Sequence, residues 1–205
     1  MSGDYGTMTA RVCDELTRYD LTAQAQNAIQ SAIHFYENTP LWFNEEISTA
    51  STVNAQQYYA LPSDFMRDRS LTCLVTVTAY PLKRRTHHTL DKWFINSTNF
   101  TGYPGDYSIY QQQIRLYPIP NGVYTLTLSY IKSLSALAND TDTNAWMVEG
   151  EELIRSRAQY DLCMRVLRKP DWAQLFRNLE LDAYRNLKST SLPYQLGAMP
   201  IKRSF

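Results

Sequence analysis

Two pairs of acidic residues are the candidates for acid–base chemistry. Glu45 and Glu46 follow an aromatic stretch, and Asp140 and Asp142 open the segment DTDTNAWMVEGE. Glycoside hydrolysis needs two carboxyl groups across a cleft, one of them with a raised pKa. Nothing in the sequence places either pair in a shared cleft or in apolar surroundings. Surface acids explain them equally well, and a hydrolase stays an alternative.

The same acidic segment partly matches a calcium-binding loop. Asp140, Asp142, Asn144 and Glu151 occupy ligand positions of that pattern, but Ala145 stands where the sharp turn requires glycine. The other interpretation is a helix N-terminus that is capped by Asn and favoured by nearby acids. The sequence has no nucleophile elbow, glycine-rich phosphate loop or zinc-protease motif. We therefore predict no catalytic residue, no cofactor and no metal ligand.

A basic cluster is the candidate for nucleic-acid contact. Lys83, Arg84 and Arg85 precede His87 and His88, and neighbouring imidazoles on a strand point to opposite faces and do not share a metal. Twenty basic residues balance twenty acidic ones, so the chain has no overall field that attracts DNA. The cluster is either a solvated turn or subunit contact, or the local patch of a DNA-binding module.

Composition indicates a soluble protein with reduced thiols. Cys13, Cys73 and Cys163 lack metal or redox spacing, which favours synthesis in a cytoplasm. No apolar run approaches the ~18 residues of a membrane helix, and no signal-peptide pattern is present. The fifteen tyrosines are compatible with large interfaces or a β-rich core.

Helical periodicity marks both ends of the chain. Apolar residues recur at helical spacing from Thr9 to Tyr19 and from Thr22, a candidate N-cap, to Tyr36. Near the C-terminus one stripe contains Ile154, Ala158 and Leu162. The sequence also predicts a last core-facing stripe on the residues Trp172, Leu175, Phe176, Leu179, Ala183 and Leu187.

The middle of the chain predicts strands. Short segments rich in Thr, Val, Tyr and Ile cover residues 47–53, 56–60, 70–79 and 107–110, and LDKWFINSTN is assigned a helix. The stretch IRLYPIPNGVYTLTLSY predicts a β-hairpin over 113–130, in which Pro118, Pro120 and Asn121-Gly122 form the loop. Its second strand alternates, with one face predicted to consist of Tyr124, Leu126, Leu128 and Tyr130.

The expected fold is α+β. Helices from residues 1–39 and 134–188 form a bundle, from which a central antiparallel β region, residues 40–133, projects. The segment 189–205 has two prolines, a glycine and no periodicity, so we expect an extended tail. Its apolar side chains suggest that it becomes ordered on a partner.

Taken in order, these segments resemble the head-to-tail adaptor (connector) proteins of tailed bacteriophages, especially short-tailed ones. The resemblance covers about Thr9 to Leu187. It rests on LTAQAQNAIQSAIHFYENTPLWFNEE, then YYALPSDF, then the Ile-x-Leu-x-Pro-x-Pro stretch with its following Leu-x-Tyr strand, and finally the Asp-rich helix start.

The resemblance implies a non-enzymatic virion protein of the neck region, assembled in the host cytoplasm. Such adaptors form a ring, usually dodecameric, between the portal protein and the tail nozzle and fibre proteins. The ring extends the channel for double-stranded DNA without sequence-specific binding. Some relatives are associated with peptidoglycan hydrolysis, but no residue here carries a catalytic motif.

The resemblance also implies portal docking by the C-terminal segment. The apolar residues expected to make that contact are Leu192, Tyr194, Leu196, Met199, Ile201 and Phe205. Ile119 and Tyr124 of the predicted hairpin, with Lys83, Arg84 and Arg85, are the expected subunit or tail contacts.

Overall fold

The structure is a computed structural model and describes residues 3–96 and 100–195. The chain divides into two compact units, Met1–Asn44 with Ser133–Phe205, and Glu45–Lys132. The first is helical and the second is mainly β, so the predicted α+β class with helices at both ends is confirmed.

The helices of the described residues are α1 (Tyr5–Glu15), α2 (Thr22–Tyr36), α3 (His87–Asn96), α4 (Ala145–Val148), α5 (Glu151–Leu162) and α6 (Pro170–Gln195). A 3-10 turn, Tyr19–Leu21, precedes α2, and a π-helical turn, Cys163–Leu167, follows α5. Helix α3 belongs to the β-rich unit; it begins three residues before LDKWFINSTN and confirms the helix predicted there as far as Asn96, and the last three residues of that segment lie outside the described residues.

Helix α1 begins at a side-chain cap and ends at a residue with left-handed backbone conformation. The Asp4 carboxylate accepts a 2.7 Å hydrogen bond from the Thr7 amide and caps the N-terminus. The helix ends at Glu15, four residues before the predicted end, because Thr17 adopts a left-handed conformation (φ 53°). This turn separates α1 from α2.

One apolar core joins the helices of the first unit. Trp146, Leu153 and Ile154 are fully buried in it with residues from α1, α2 and α6. The stripes predicted for α2 and α5 face this core, as the burial of Ile29 and Ala158 shows. Helices from both ends of the chain thus pack around common side chains.

Helix α6 corrects the predicted extended tail at its start. Residues 189–195 are helical, and the hydroxyl groups of Ser189 and Thr190 donate to the Asn186 carbonyl one turn earlier (2.8 and 3.0 Å). Ser191 is buried on the inner side. Residues 196–205 lie outside the described part of the chain.

The strands of the second unit form two four-stranded sheets and a two-stranded ribbon. The first sheet has the order β1-β10-β3-β4, the second β2-β8-β7-β5, and the ribbon joins β6 to β9. Their bounds are β1 (Glu45–Ser51), β2 (Tyr58–Ala60), β3 (Phe65–Val75), β4 (Thr78–Pro81), β5 (Lys83–Arg84), β6 (Thr101–Gly102), β7 (Asp106–Tyr110), β8 (Gln113–Tyr117), β9 (Ile119–Pro120) and β10 (Thr125–Lys132).

The hairpin predicted over 113–130 is wrong. Its two strands, β8 and β10, lie in different sheets, because β8 is hydrogen-bonded to β7 and β2 while β10 lies between β1 and β3. The proline segment between them pairs in parallel with β6 instead of closing a loop. The actual hairpin joins β7 to β8 through Gln111 and Gln112, both at positive φ (50° and 58°).

A second correction concerns the strand predicted over 70–79. The chain turns after Val75, where Thr76 has a φ of 59°, so the segment becomes the antiparallel pair β3 and β4. The alternation predicted for β10 is confirmed, since Leu126, Leu128 and Tyr130 are buried in the core of this unit.

Candidate functional site

The first acidic pair is held by cations. Glu45 lies 3.3 Å from Arg69, and Glu46 accepts a 2.7 Å hydrogen bond from Lys132. The lysine lowers the pKa of Glu46 below its ordinary value. A glycosidase acid needs the opposite shift, so Glu46 lacks the property of a proton donor, and both carboxylates lie in ion pairs across a sheet.

The second acidic pair stabilises a turn. The Asp142 carboxylate accepts 2.8 Å hydrogen bonds from the amides of Asn139 and Ala138, and these bonds lower its pKa. Asp140 accepts a 3.3 Å bond from the Gln26 side chain. The geometry is that of a capped loop and gives neither acid the apolar surroundings of a proton donor.

The residues of the calcium-like pattern have other partners. Asn144 caps α4 by accepting the Trp146 amide at 2.9 Å, and Glu151 forms ion pairs with Arg11 and Arg155. Within residues 3–96 and 100–195, no group of three or more His, Cys, Asp or Glu side chains could hold a metal ion. The segment forms the capped N-terminus of helix α4.

A serine, a histidine and an aspartate come together in the β-rich unit, which the sequence did not suggest. Ser108 Oγ lies 3.5 Å from His87 Nδ1, and His87 Nε2 lies 3.6 Å from Asp91. This is the order of a nucleophile–base–acid relay. However, Ser108 is fully buried, both contacts are long, and Asp91 is bound by Arg115. The arrangement gives a substrate no access to the hydroxyl.

The basic cluster is largely neutralised within the chain. Arg84 donates to the buried Asp68 at 2.7 Å, and Arg85 donates to Asp106 at 2.7 Å. Lys83 is exposed. Two of the three charges that a DNA-binding module would use thus have carboxylate partners, and the remaining patch is weak.

The two apolar contact candidates near the proline segment differ in exposure. Ile119 is half-buried, and its amide donates to the Phe100 carbonyl at 3.1 Å. Tyr124 packs against the core of its unit and donates to the Asn121 side chain at 2.5 Å. Val123, between them in sequence, is 75% exposed. Tyr124 therefore contributes to the fold, and Val123 is an exposed apolar side chain of this loop.

Only part of the predicted portal-binding segment is described. Leu192 is exposed near the end of α6, and Tyr194 lies in the last turn of that helix. The other four residues, Leu196, Met199, Ile201 and Phe205, lie outside the described residues. Their contact with a portal stays a prediction.

Half of the residues predicted to form the core-facing stripe of α6 do so, since Phe176 and Ala183 are buried and Leu187 packs against the core, whereas the other half are exposed. Trp172, Leu175 and Leu179 are 42, 57 and 42% exposed, while Phe176 is buried and Glu180 is inaccessible to solvent. The helix is rotated relative to the prediction so that a carboxylate faces inward. An exposed apolar stripe on a helix is typical of an interaction surface.

Two comparisons with known proteins bear on this architecture. A family model described as SU10 adaptor protein matches residues 4–195, which includes both compact units. A search of curated proteins finds no match. In the part of the chain that the structure describes, no helix has the length and apolar character needed to cross a bilayer.

Proposed function

Because the chain belongs to the SU10 adaptor protein family, whose members are structural adaptors of phage virions, we propose that it is the head-to-tail adaptor of a short-tailed phage. In this role twelve copies of the chain form a ring between the portal protein and the tail nozzle and fibre proteins. The ring lies in the neck of the virion and extends the DNA channel during genome ejection.

The observation that carries the proposal is the extent of the family match. It runs from residue 4 to residue 195 and thus includes the helical unit and the β-rich unit inserted between Asn44 and Ser133. The candidate catalytic groups offer no competing explanation, because their carboxylates are bound by lysine, arginine, backbone amides or the Gln26 side chain. A structural role in assembly fits both facts.

Portal binding is assigned to the C-terminal segment. Residues after α6 include Leu196, Met199, Ile201 and Phe205, and an apolar segment of this kind gains stability by ordering on a partner. Deletion of residues 196–205 tests this assignment without cutting α6. A deletion from Ser189 would also remove Ser191, which is buried and lies 3.4 Å from the Trp42 amide.

The truncated protein should keep its circular dichroism spectrum and melting temperature and lose binding to the portal ring. The matched control replaces residues 196–205 by a Gly/Ser segment of equal length, which should also fail to bind. Portal binding by the truncated chain at wild-type affinity would contradict the assignment.

For DNA to pass through the ring, the channel surface must not bind the negatively charged DNA tightly. The formal net charge is zero, and Arg84 and Arg85 are neutralised by Asp68 and Asp106. We therefore expect weak DNA binding without sequence preference, measured as a shallow salt dependence of the affinity. Tight and steeply salt-dependent binding would indicate a DNA-binding module instead.

Mass measurement of the protein alone and with portal rings tests the proposal as a whole. We expect many copies of the chain per portal ring. A lasting complex of one chain with one portal subunit and no contact between copies would contradict the ring.

A further inference from the structure

An open cleft of about 500 Å³ lies on the surface of the helical unit, beside α1 and the start of α2. Its charged lining residues are Arg11, Asp14 and Asp140, and Arg11 is paired with Glu151. The rest of the lining is Gly6, Thr7, Thr9, Ala10, Cys13, Tyr19, Thr22 and Gln26. The volume is large enough for bulky side chains of a partner.

Two carboxylates give the cleft a negative character. Asp14 accepts a 2.6 Å hydrogen bond from the Tyr19 hydroxyl, and Asp140 accepts a 3.3 Å bond from the Gln26 amide. Both of these partners are neutral groups. With Arg11 balanced by Glu151, the cleft holds two carboxylates that can attract cations of a docking protein.

A surface of the opposite character lies where α5 passes into α6. We call Arg168, Lys169 and Trp172 the basic-aromatic knob. All three are exposed, and Lys169 Nζ lies 4.3 Å from the centre of the Trp172 ring. Among the described residues, neither Arg168 nor Lys169 forms an ion pair with a carboxylate. The exposed Leu175 lies on the next turn of α6 and widens the apolar surface.

We propose that the basic-aromatic knob of one copy docks in the cleft of the next copy. The two surfaces are complementary, because the cleft has two carboxylates and room, while the knob has a large ring and two cations that keep a net positive charge beside the exposed Asp171. Trp and Arg are the side chains most often found at the energetic centre of interfaces. The pairing rests on the proposed ring function and names the surfaces that would form it.

The two surfaces lie on different elements, which makes the contact head-to-tail. The cleft is built on α1 and α2, and the knob lies between the π-helical turn and the first turn of α6. A contact of one patch with a different patch repeats from copy to copy and stops only when the rotation closes a ring. A self-complementary dimer would instead bury the same patch twice.

Charge reversal tests the contact. The cleft variant carries Asp14→Lys and Asp140→Lys, and the knob variant carries Arg168→Glu and Lys169→Glu. Each alone should weaken contact between copies at least about thirtyfold. The matched control, Arg185→Glu with Lys188→Glu on α6, changes the charge of the helical unit equally and should assemble like the wild type. Assembly is read by native mass spectrometry and cross-linking, with and without portal rings.

Mixing the two variants separates a lost contact from a damaged fold. The cleft variant keeps a basic knob, which can dock in the unchanged acidic cleft of the knob variant. The knob variant has an acidic knob, which can dock in the basic cleft of the cleft variant. The mixture should therefore form rings in which the two variants alternate. Restored assembly in the mixture supports the pairing, since misfolded chains would not rescue one another. Wild-type-like assembly of either variant alone overturns it, and so does a mixture that fails while the wild type assembles. Failure of the wild type itself to assemble on portal rings would overturn the ring proposal.

Discussion

Replacement of Glu180 should destabilise the helical unit. This residue is inaccessible to solvent, and Arg177 donates to its Oε2 at 2.7 Å while Arg157 approaches its Oε1 at 3.3 Å. The Tyr36 hydroxyl also donates to Oε1, and burial together with this carboxylate raises the pKa of that tyrosine. Removing one member of such a buried network leaves the others without compensation.

The change Glu180→Gln keeps the shape of the side chain and removes its charge. Breaking a buried ion pair costs about 3–5 kcal/mol. We expect the lower end, about 3 kcal/mol, because the Arg177 side chain is 37% exposed and Arg157 keeps Asp161 at 3.6 Å. At about 2–4 °C per kcal/mol for chains of this size, the melting temperature should fall by about 6–12 °C.

The assay is thermal unfolding followed by circular dichroism, at equal protein concentration because assembly would shift the midpoint. Asp182→Asn is the matched control. Asp182 is two positions further along α6, and its 3.2 Å pair with Arg185 is exposed on both sides, so its loss should cost less than about 0.5 kcal/mol. Equal melting temperatures for the two variants would refute the inward orientation of Glu180.

Three further predictions concern single positions. Burial raises the pKa of Tyr130 to about 12. The contribution of this shift to stability is therefore complete below about pH 10 and is lost as the pH rises towards 12. In Tyr130→Phe the urea midpoint of unfolding should fall less steeply with pH above about pH 9 than it does in the wild type. Gln111→Asn with Gln112→Gly should raise the free energy of unfolding by about 1 kcal/mol in urea titrations, because both positions have positive φ. Gly150→Ala should lower the melting temperature through a loss of about 1–3 kcal/mol of stability, because the new Cβ would lie 2.8 Å from the Trp146 ring. For each of the three variants, a result equal to that of the wild type would contradict the structural feature on which its prediction rests.

Local patterns predicted the elements better than their pairing. The alternation of β10 and the apolar spacing of α2 and α5 are properties of single segments, and the structure confirms them. The hairpin over 113–130 was inferred from two adjacent strands and a proline-containing loop. The alternation of apolar residues in a strand indicates which face is buried but not which strand pairs with it. The pattern is therefore equally compatible with β8 and β10 in separate sheets, as the structure has them.

The turn that does form a hairpin gave no sequence signal. Gln111 and Gln112 both adopt positive φ, a conformation that favours Asn or Gly. Pairing of β7 with β8 holds them there. In the same way, the contact of Ser108 with His87 joins positions 21 residues apart and has no recognisable motif. The sequence could not predict these arrangements because they depend on tertiary contacts.

Helix α6 shows why the candidate interaction surface was missed. Trp172, Leu175 and Leu179 have helical spacing, and periodicity alone assigns such residues to a core. Glu180 faces inward instead, because its partners Tyr36 and Arg157 come from other helices and are invisible in the local pattern. The chain thus buries a carboxylate and exposes an apolar stripe on one helix. An exposed apolar stripe of this kind is typical of interaction surfaces, so α6 is a stronger candidate for contact with partner proteins than its sequence pattern indicates.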